Sequence, residues 1–143
     1  MHRLRRVKLP KGPYLIVSNH TSYFDIFVMY SILPTHCFLF MGKSEILSYP
    51  LVKTFFKKLN IPVHRNDRMK AAKSFIQAKN AIQDGWSIVI FPEGGIPDDN
   101  LPEMVEFKSG AFKLSKNAQI PIVPITFLDH YHMFSDPDDL LGF

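Results

Sequence analysis

At 143 residues, 46% of them hydrophobic, the chain has the length of one domain and enough apolar content to bury a core, which excludes a disordered protein. A formal net charge of +4 and a pI near 9.2 favour anionic partners without choosing among them. The single Cys37 excludes an internal disulfide, and its place in an apolar run predicts a buried, reduced thiol.

Basic residues open the chain (Arg3, Arg5, Arg6, Lys8 and Lys11) and recur from Lys53 through Lys57 and Lys58 to Arg65 and Arg68. No nucleic-acid motif accompanies them, so phosphate or an anionic phospholipid membrane surface is the better match, and no nucleic acid is expected. Pro10, Gly12 and Pro13 stand where a signal peptide would need an apolar region. No apolar run reaches the roughly 18 residues of a membrane-spanning helix. The expectation is a single domain over 1–143, whole or trimmed at one or both ends, cytoplasmic or peripheral on the cytoplasmic face of a membrane.

The run Tyr14, Leu15, Ile16, Val17 predicts a buried strand, and residues 22–32 a helix that ends before Pro34. A second buried strand is predicted over 37–41, broken by Gly42. Residues 50–59 predict a helix with Leu51, Val52, Phe55, Phe56 and Leu59 on one stripe and Pro50 in its first turn. That stripe and its lysines fit an interfacial helix or one packed on a sheet. A short strand is predicted over 61–64. The helix predicted over 67–83 places Ala71, Ala72, Phe75, Ile76, Ala78 and Ile82 on its apolar face, with Gly85 as its stop. A strand over 86–91, a helix over 109–117 and a strand over 122–127 complete the series. Strands alternating with helices predict an α/β domain with a mainly parallel or mixed sheet flanked by helices.

In such sheets the ligand site lies at the carboxyl ends of strands. Two motifs fall there. In Asn19-His20-Thr21-Ser22-Tyr23-Phe24-Asp25, a histidine in a strand-to-helix turn can meet an aspartate in the first helical turn. A neutral imidazole suits proton abstraction near pH 7, and a carboxylate on its other nitrogen fixes the tautomer. Ser22 and Asp25 equally fit a capping box, a role compatible with orienting the histidine. The second motif is Phe91-Pro92-Glu93-Gly94-Gly95. Its glycines permit positive φ and close approach to a ligand, and their amides could line an anion site; an ordinary turn is the plain alternative. His130 and His132, near Asp136, Asp138 and Asp139, have metal-like spacing but no further clear ligand, so no metal is expected.

Together these blocks resemble the glycerolipid acyltransferase family, whose His-x4-Asp signature is matched by His20 and Asp25. The stretches Gly42-Lys43-Ser44-Glu45 and Ile61-Pro62-Val63-His64-Arg65 resemble the family's second block, Phe107-Lys108-x-Gly110 the segment after Phe-Pro-Glu-Gly, and Ile120-Pro121-Ile122-Val123-Pro124 its fourth. The resemblance implies transfer of an acyl group from acyl-CoA or acyl-carrier protein to the hydroxyl of lysophosphatidic acid, with no cofactor. In it His20 is the base, Asp25 its orienter, and Arg65 a phosphate contact. Glu93 with the amides of Gly94 and Gly95 would organise the acceptor or the oxyanion. The family commonly continues Phe-Pro-Glu-Gly with Thr-Arg-Ser, whereas this chain has Gly95-Ile96-Pro97. The missing arginine leaves Arg65 and Lys108 as substitutes, and it lends weight to the alternative acceptors, glycerol 3-phosphate, a lysophospholipid or an aminolipid, behind lysophosphatidic acid. A non-catalytic lipid- or carrier-binding domain is the rival from another class, and a retained base-orienter pair argues against it.

Overall fold

A computed structural model describes residues 8–43, 53, 58–64, 66–97 and 103–128. Five strands form one sheet: β1 (Leu15–Ser18), β2 (Phe38–Lys43), β3 (Asn60–Val63), β4 (Ser87–Ile90) and β5 (Ile122–Ile125). Their order is β3-β2-β4-β1-β5, and every pairing is parallel. Among the described residues three helices have defined bounds: α1 (Asp25–Ile32), α2 (Arg68–Gln83) and α3 (Gly110–Ala118). The architecture is the α/β one the alternation predicts. Most of the helix predicted over 50–59, with Leu51, Val52, Phe55 and Phe56, lies outside the described residues.

The two-residue period of a strand splits the core into two layers. Tyr14 and Ile16 point to one side with Phe38, Phe40 and Val89, where Ile26, Met29 and Leu33 of the α1 stretch cover them. Leu15 and Val17 point to the other with Met41, Ile61 and Ile88, covered by Ala78 and Ile82 of α2 and Ala111 and Leu114 of α3. The helix after β1 thus packs on one face and the helix after β4 on the other. Because β1 and β4 are neighbours, a crevice opens between their carboxyl ends, the usual ligand position in such sheets. Among the described residues β5 stands at the edge of the sheet, where Pro124 costs no ladder bond.

Two expectations require correction. Cys37 is exposed: β2 begins one residue later, and only the Cys37 carbonyl joins the ladder, accepting the Ser87 N–H at 3.0 Å. On α2, Ala72 and Ile76 face outward, and the buried residues are Ser74, Ala78 and Ile82. The Ser74 hydroxyl donates to the Pro62 carbonyl at 2.5 Å, which turns this polar residue toward β3 and leaves Ala72 and Ile76, two positions to either side, outward. The boundaries of α1 shift less: residues 23 and 24 form a turn, and the helix starts at Asp25.

Candidate active site

The chain leaves β1 at Ser18 and turns toward α1 through Asn19 and His20, both buried. His20 Nδ1 lies 3.0 Å from Asp25 Oδ2. The same carboxylate oxygen accepts the backbone N–H of Thr21 at 2.7 Å and of Ser22 at 2.9 Å. Asp25 is fully buried, so its position is set by these donors and not by solvent. The Ser22 bond is the carboxylate half of a capping box, while the Ser22 hydroxyl accepts from Phe24 N at 3.1 Å. Capping and histidine orientation are therefore carried by one carboxylate. An acceptor at Nδ1 makes Nδ1–H the donor and leaves the Nε2 lone pair unprotonated.

Three further ties hold the histidine, none of which the sequence motif announces. The imidazole stacks on Phe91 with ring centroids 4.1 Å apart and planes 15° apart; Phe91 in turn stacks on Phe40 at 6.2 Å. The backbone N–H of His20 donates to Glu93 Oε1 at 2.7 Å. The Asn19 side chain clasps Phe127, donating from Nδ2 to its carbonyl and accepting its N–H at Oδ1, both at 2.8 Å. Phe91 and Asn19 were legible only as a strand end and a motif letter. Their partners stand 71 and 108 positions away.

Glu93 is buried and its other oxygen, Oε2, accepts the Val105 N–H at 3.1 Å. Both oxygens thus serve main-chain donors of the protein. Gly94 has φ +92°, and its amide donates to the Phe91 carbonyl at 3.1 Å, closing the turn. Among the described residues the Gly95 amide has no such partner. A side chain at Gly95 would meet Lys43: its Cβ would lie 3.4 Å from Nζ. Lys43 ends β2 beside β4, and among the described residues it forms no ion pair. In the sequence Lys43 stands out only as a member of its block; the signal it carries is a cation at a strand's carboxyl end. Lys108 is exposed, with its backbone N–H on the Pro92 carbonyl at 2.9 Å. Arg65 lies outside the described residues, as do His130 and His132.

His20, Asp25, Glu93, Gly94 and Gly95 are thus brought to one rim, with a proton acceptor backed by a fixed carboxylate. That arrangement can activate a hydroxyl. Comparisons with known proteins point to the same class. The chain is 32% identical over 128 residues to the sheep 1-acyl-sn-glycerol-3-phosphate acyltransferase alpha, covering 87% of this chain and 43% of that one. It is 32% identical over 120 residues to the 1-acyl-sn-glycerol-3-phosphate acyltransferase of Saccharomyces cerevisiae, covering 82% and 39% respectively. The chain therefore spans less than half the length of these relatives. The crystal structure of the 1-acyl-sn-glycerophosphate (LPA) acyltransferase PlsC from Thermotoga maritima shares the fold, with a TM-score of 0.69 at 21% identity over 87% of this chain and 48% of that one. Residues 2–128 match the family model described as Acyltransferase, and the chain belongs to that family.

Proposed function

We propose that this chain is the acyl-transfer domain of an enzyme that moves a fatty acyl group from acyl-CoA or acyl-carrier protein to the free hydroxyl of lysophosphatidic acid, giving phosphatidic acid. The observation that carries this is the 3.0 Å contact between His20 Nδ1 and Asp25 Oδ2 on the rim of a parallel sheet. A site that only binds lipid needs neither a base nor its orienter.

His20 Nε2 takes the proton of the acceptor hydroxyl as that oxygen attacks the thioester carbonyl. The imidazolium so formed is stabilised by Asp25. Collapse of the tetrahedral intermediate breaks the carbon–sulfur bond, and the departing thiolate takes the proton from His20. Every proton is returned, so the histidine is ready for the next cycle. The Gly95 amide, which has no backbone partner among the described residues, is a donor for the transient oxyanion.

The names of the relatives support lysophosphatidic acid as acceptor. The loop after Glu93 carries Gly95-Ile96-Pro97 and no arginine, which favours a second reading in which the acceptor is another phosphorylated or amino lipid. Lys43, beside Gly95, is the cation this loop leaves room for, with Lys108 and Arg65 as further contacts. The enzyme would act as a peripheral protein on the cytoplasmic face of a membrane. Among the described residues no helix is long and apolar enough to cross one.

The test is release of free CoA from acyl-CoA in the presence of detergent-dispersed lysophosphatidic acid. His20→Ala should abolish release, and activity surviving that substitution would sink the mechanism. A panel of acceptors in the same assay, with glycerol 3-phosphate, lysophospholipids and an aminolipid, separates the two readings by kcat/KM.

A further inference from the structure

The outward face of α2 and α3 is apolar where the core pattern gave no reason for it to be. At 100° per residue, Met69, Lys73 and Ile76 form a stripe opposite Ser74, Ala78 and Ile82. Met69 is 73% exposed and Ile76 60%. On α3, Phe112 is 43% exposed and lies beside Lys113 and Lys116. Both helices bury their inner faces in the same core layer, and Phe75 of α2 packs against Gly110 of α3. Their outer faces therefore look out on one side of the molecule.

The charge within the two helices is of one sign. Residues 68–83 carry four cations and residues 110–118 two, with no carboxylate in either helix. Acids stand only at the ends of α2, as the caps Asp67 and Asp84. Exposed apolar side chains set among lysines are the signature of a surface that lies in a lipid headgroup layer. The lysine stems extend along the apolar surface while their ammonium groups reach lipid phosphates.

Position in the fold adds to this. α2 begins shortly after the carboxyl end of β3, and Lys108, just before α3, is tied to Pro92 after β4. The first turns of both helices, with Met69 and Phe112, therefore lie at the end of the layer nearest the rim that carries His20.

We propose that the α2–α3 face docks this domain on an anionic phospholipid bilayer, with Met69, Ile76 and Phe112 entering the headgroup layer and Lys73, Lys113 and Lys116 holding the lipid phosphates. This rests on the acyl-transfer reading for its purpose, since a lipid acceptor must reach His20 from a membrane, but not for its evidence. An acidic acyl-carrier protein would also meet the lysines. The three separated apolar side chains, on an outward helical layer, favour the bilayer.

The test is co-sedimentation with vesicles. The protein should pellet with vesicles of equal parts phosphatidylcholine and phosphatidylglycerol and stay in solution with phosphatidylcholine alone. At low salt, Lys73→Gln and Lys113→Gln should each weaken binding about fivefold, and Ile76→Gln should weaken it by about tenfold. Lys11→Gln, in the segment before β1, should leave it unchanged. All four should retain wild-type turnover of a short-chain acceptor below its micellar concentration, and their melting temperatures should match. Vesicle binding indifferent to the three face substitutions overturns the proposal. So does binding to purified acyl-carrier protein that falls with them while vesicle binding does not. If soluble turnover is absent in the wild type while vesicle binding follows the face, the acyl-transfer reading fails and the docking face stands.

Discussion

Glu93 Oε1 lies 2.7 Å from the backbone nitrogen of His20, so an acidic residue of the β4 loop grips the main chain of the histidine itself. Its second oxygen holds Val105, at the far side of the same loop. The acid is thereby a positioning residue: it fixes where the imidazole stands, and its oxygens are already taken by the protein.

Glu93→Gln should lower kcat by about 100-fold with little change in the acceptor KM, because the amide keeps one acceptor and turns its NH2 against the other main-chain N–H. Glu93→Asp, which keeps both oxygens on a shorter stem, should recover part of the loss. Steady-state kinetics decide the matter: a raised KM at unchanged kcat would mean that Glu93 binds the acceptor directly.

Asp25→Asn should reduce kcat by about 100-fold or more. One oxygen, Oδ2, meets Nδ1 and the N–H groups of Thr21 and Ser22, so an asparagine oxygen in its place keeps all three donors but brings no negative charge to stabilise the imidazolium. Nitrogen NMR of the His20 ring should still report the Nδ1–H form, and steady-state kinetics the loss; full activity would refute the assignment.

Asn19→Ala removes two hydrogen bonds to Phe127 and should cost about 2 kcal/mol of unfolding free energy. Asn19→Asp should cost more, since its carboxylate accepts from Phe127 N but faces the Phe127 carbonyl with no proton to give. Urea denaturation of the three proteins gives the order, and an aspartate variant more stable than the alanine one would contradict it.

Asp67 caps α2, accepting the Lys70 N–H at 3.0 Å, and this bond holds its carboxyl below the ordinary 3.8. A carboxyl whose pKa is lowered by folding stabilises the protein above its unfolded value, and that contribution is lost as pH falls through the folded one. Melting temperature should therefore drop in acid more steeply for the wild type than for Asp67→Asn, which keeps the cap without the titration. Parallel pH profiles for the two would count against this role.

What could be read from the sequence was local. Apolar runs bounded by proline and glycine located the strands, and His20 with Asp25, five residues apart, meet as their spacing suggested. Burial of Cys37 did not follow from its apolar neighbours, because one residue decides whether a side chain lies in the strand or before it. The orientation of α2 turned on Ser74, whose hydroxyl finds a carbonyl in β3; a count of apolar residues at helical spacing weights Ile76 above it. The roles of Glu93 and Asn19 had no local signature, since the groups they bind lie 73 and 108 positions away.

The Asn19–Phe127 clasp also bears on how the domain comes into being. It joins the residue after β1 to one just beyond β5, and β1 itself is sandwiched between β4 and β5. Pairing across such separations is a late and slow event in folding. During synthesis the histidine segment therefore waits for β5 and Phe127 to emerge before this tie can form. A chain that stops short of β5 should hold His20 and Asp25 in its sequence and yet lack a competent base, so that activity, and not only stability, reports arrival of β5.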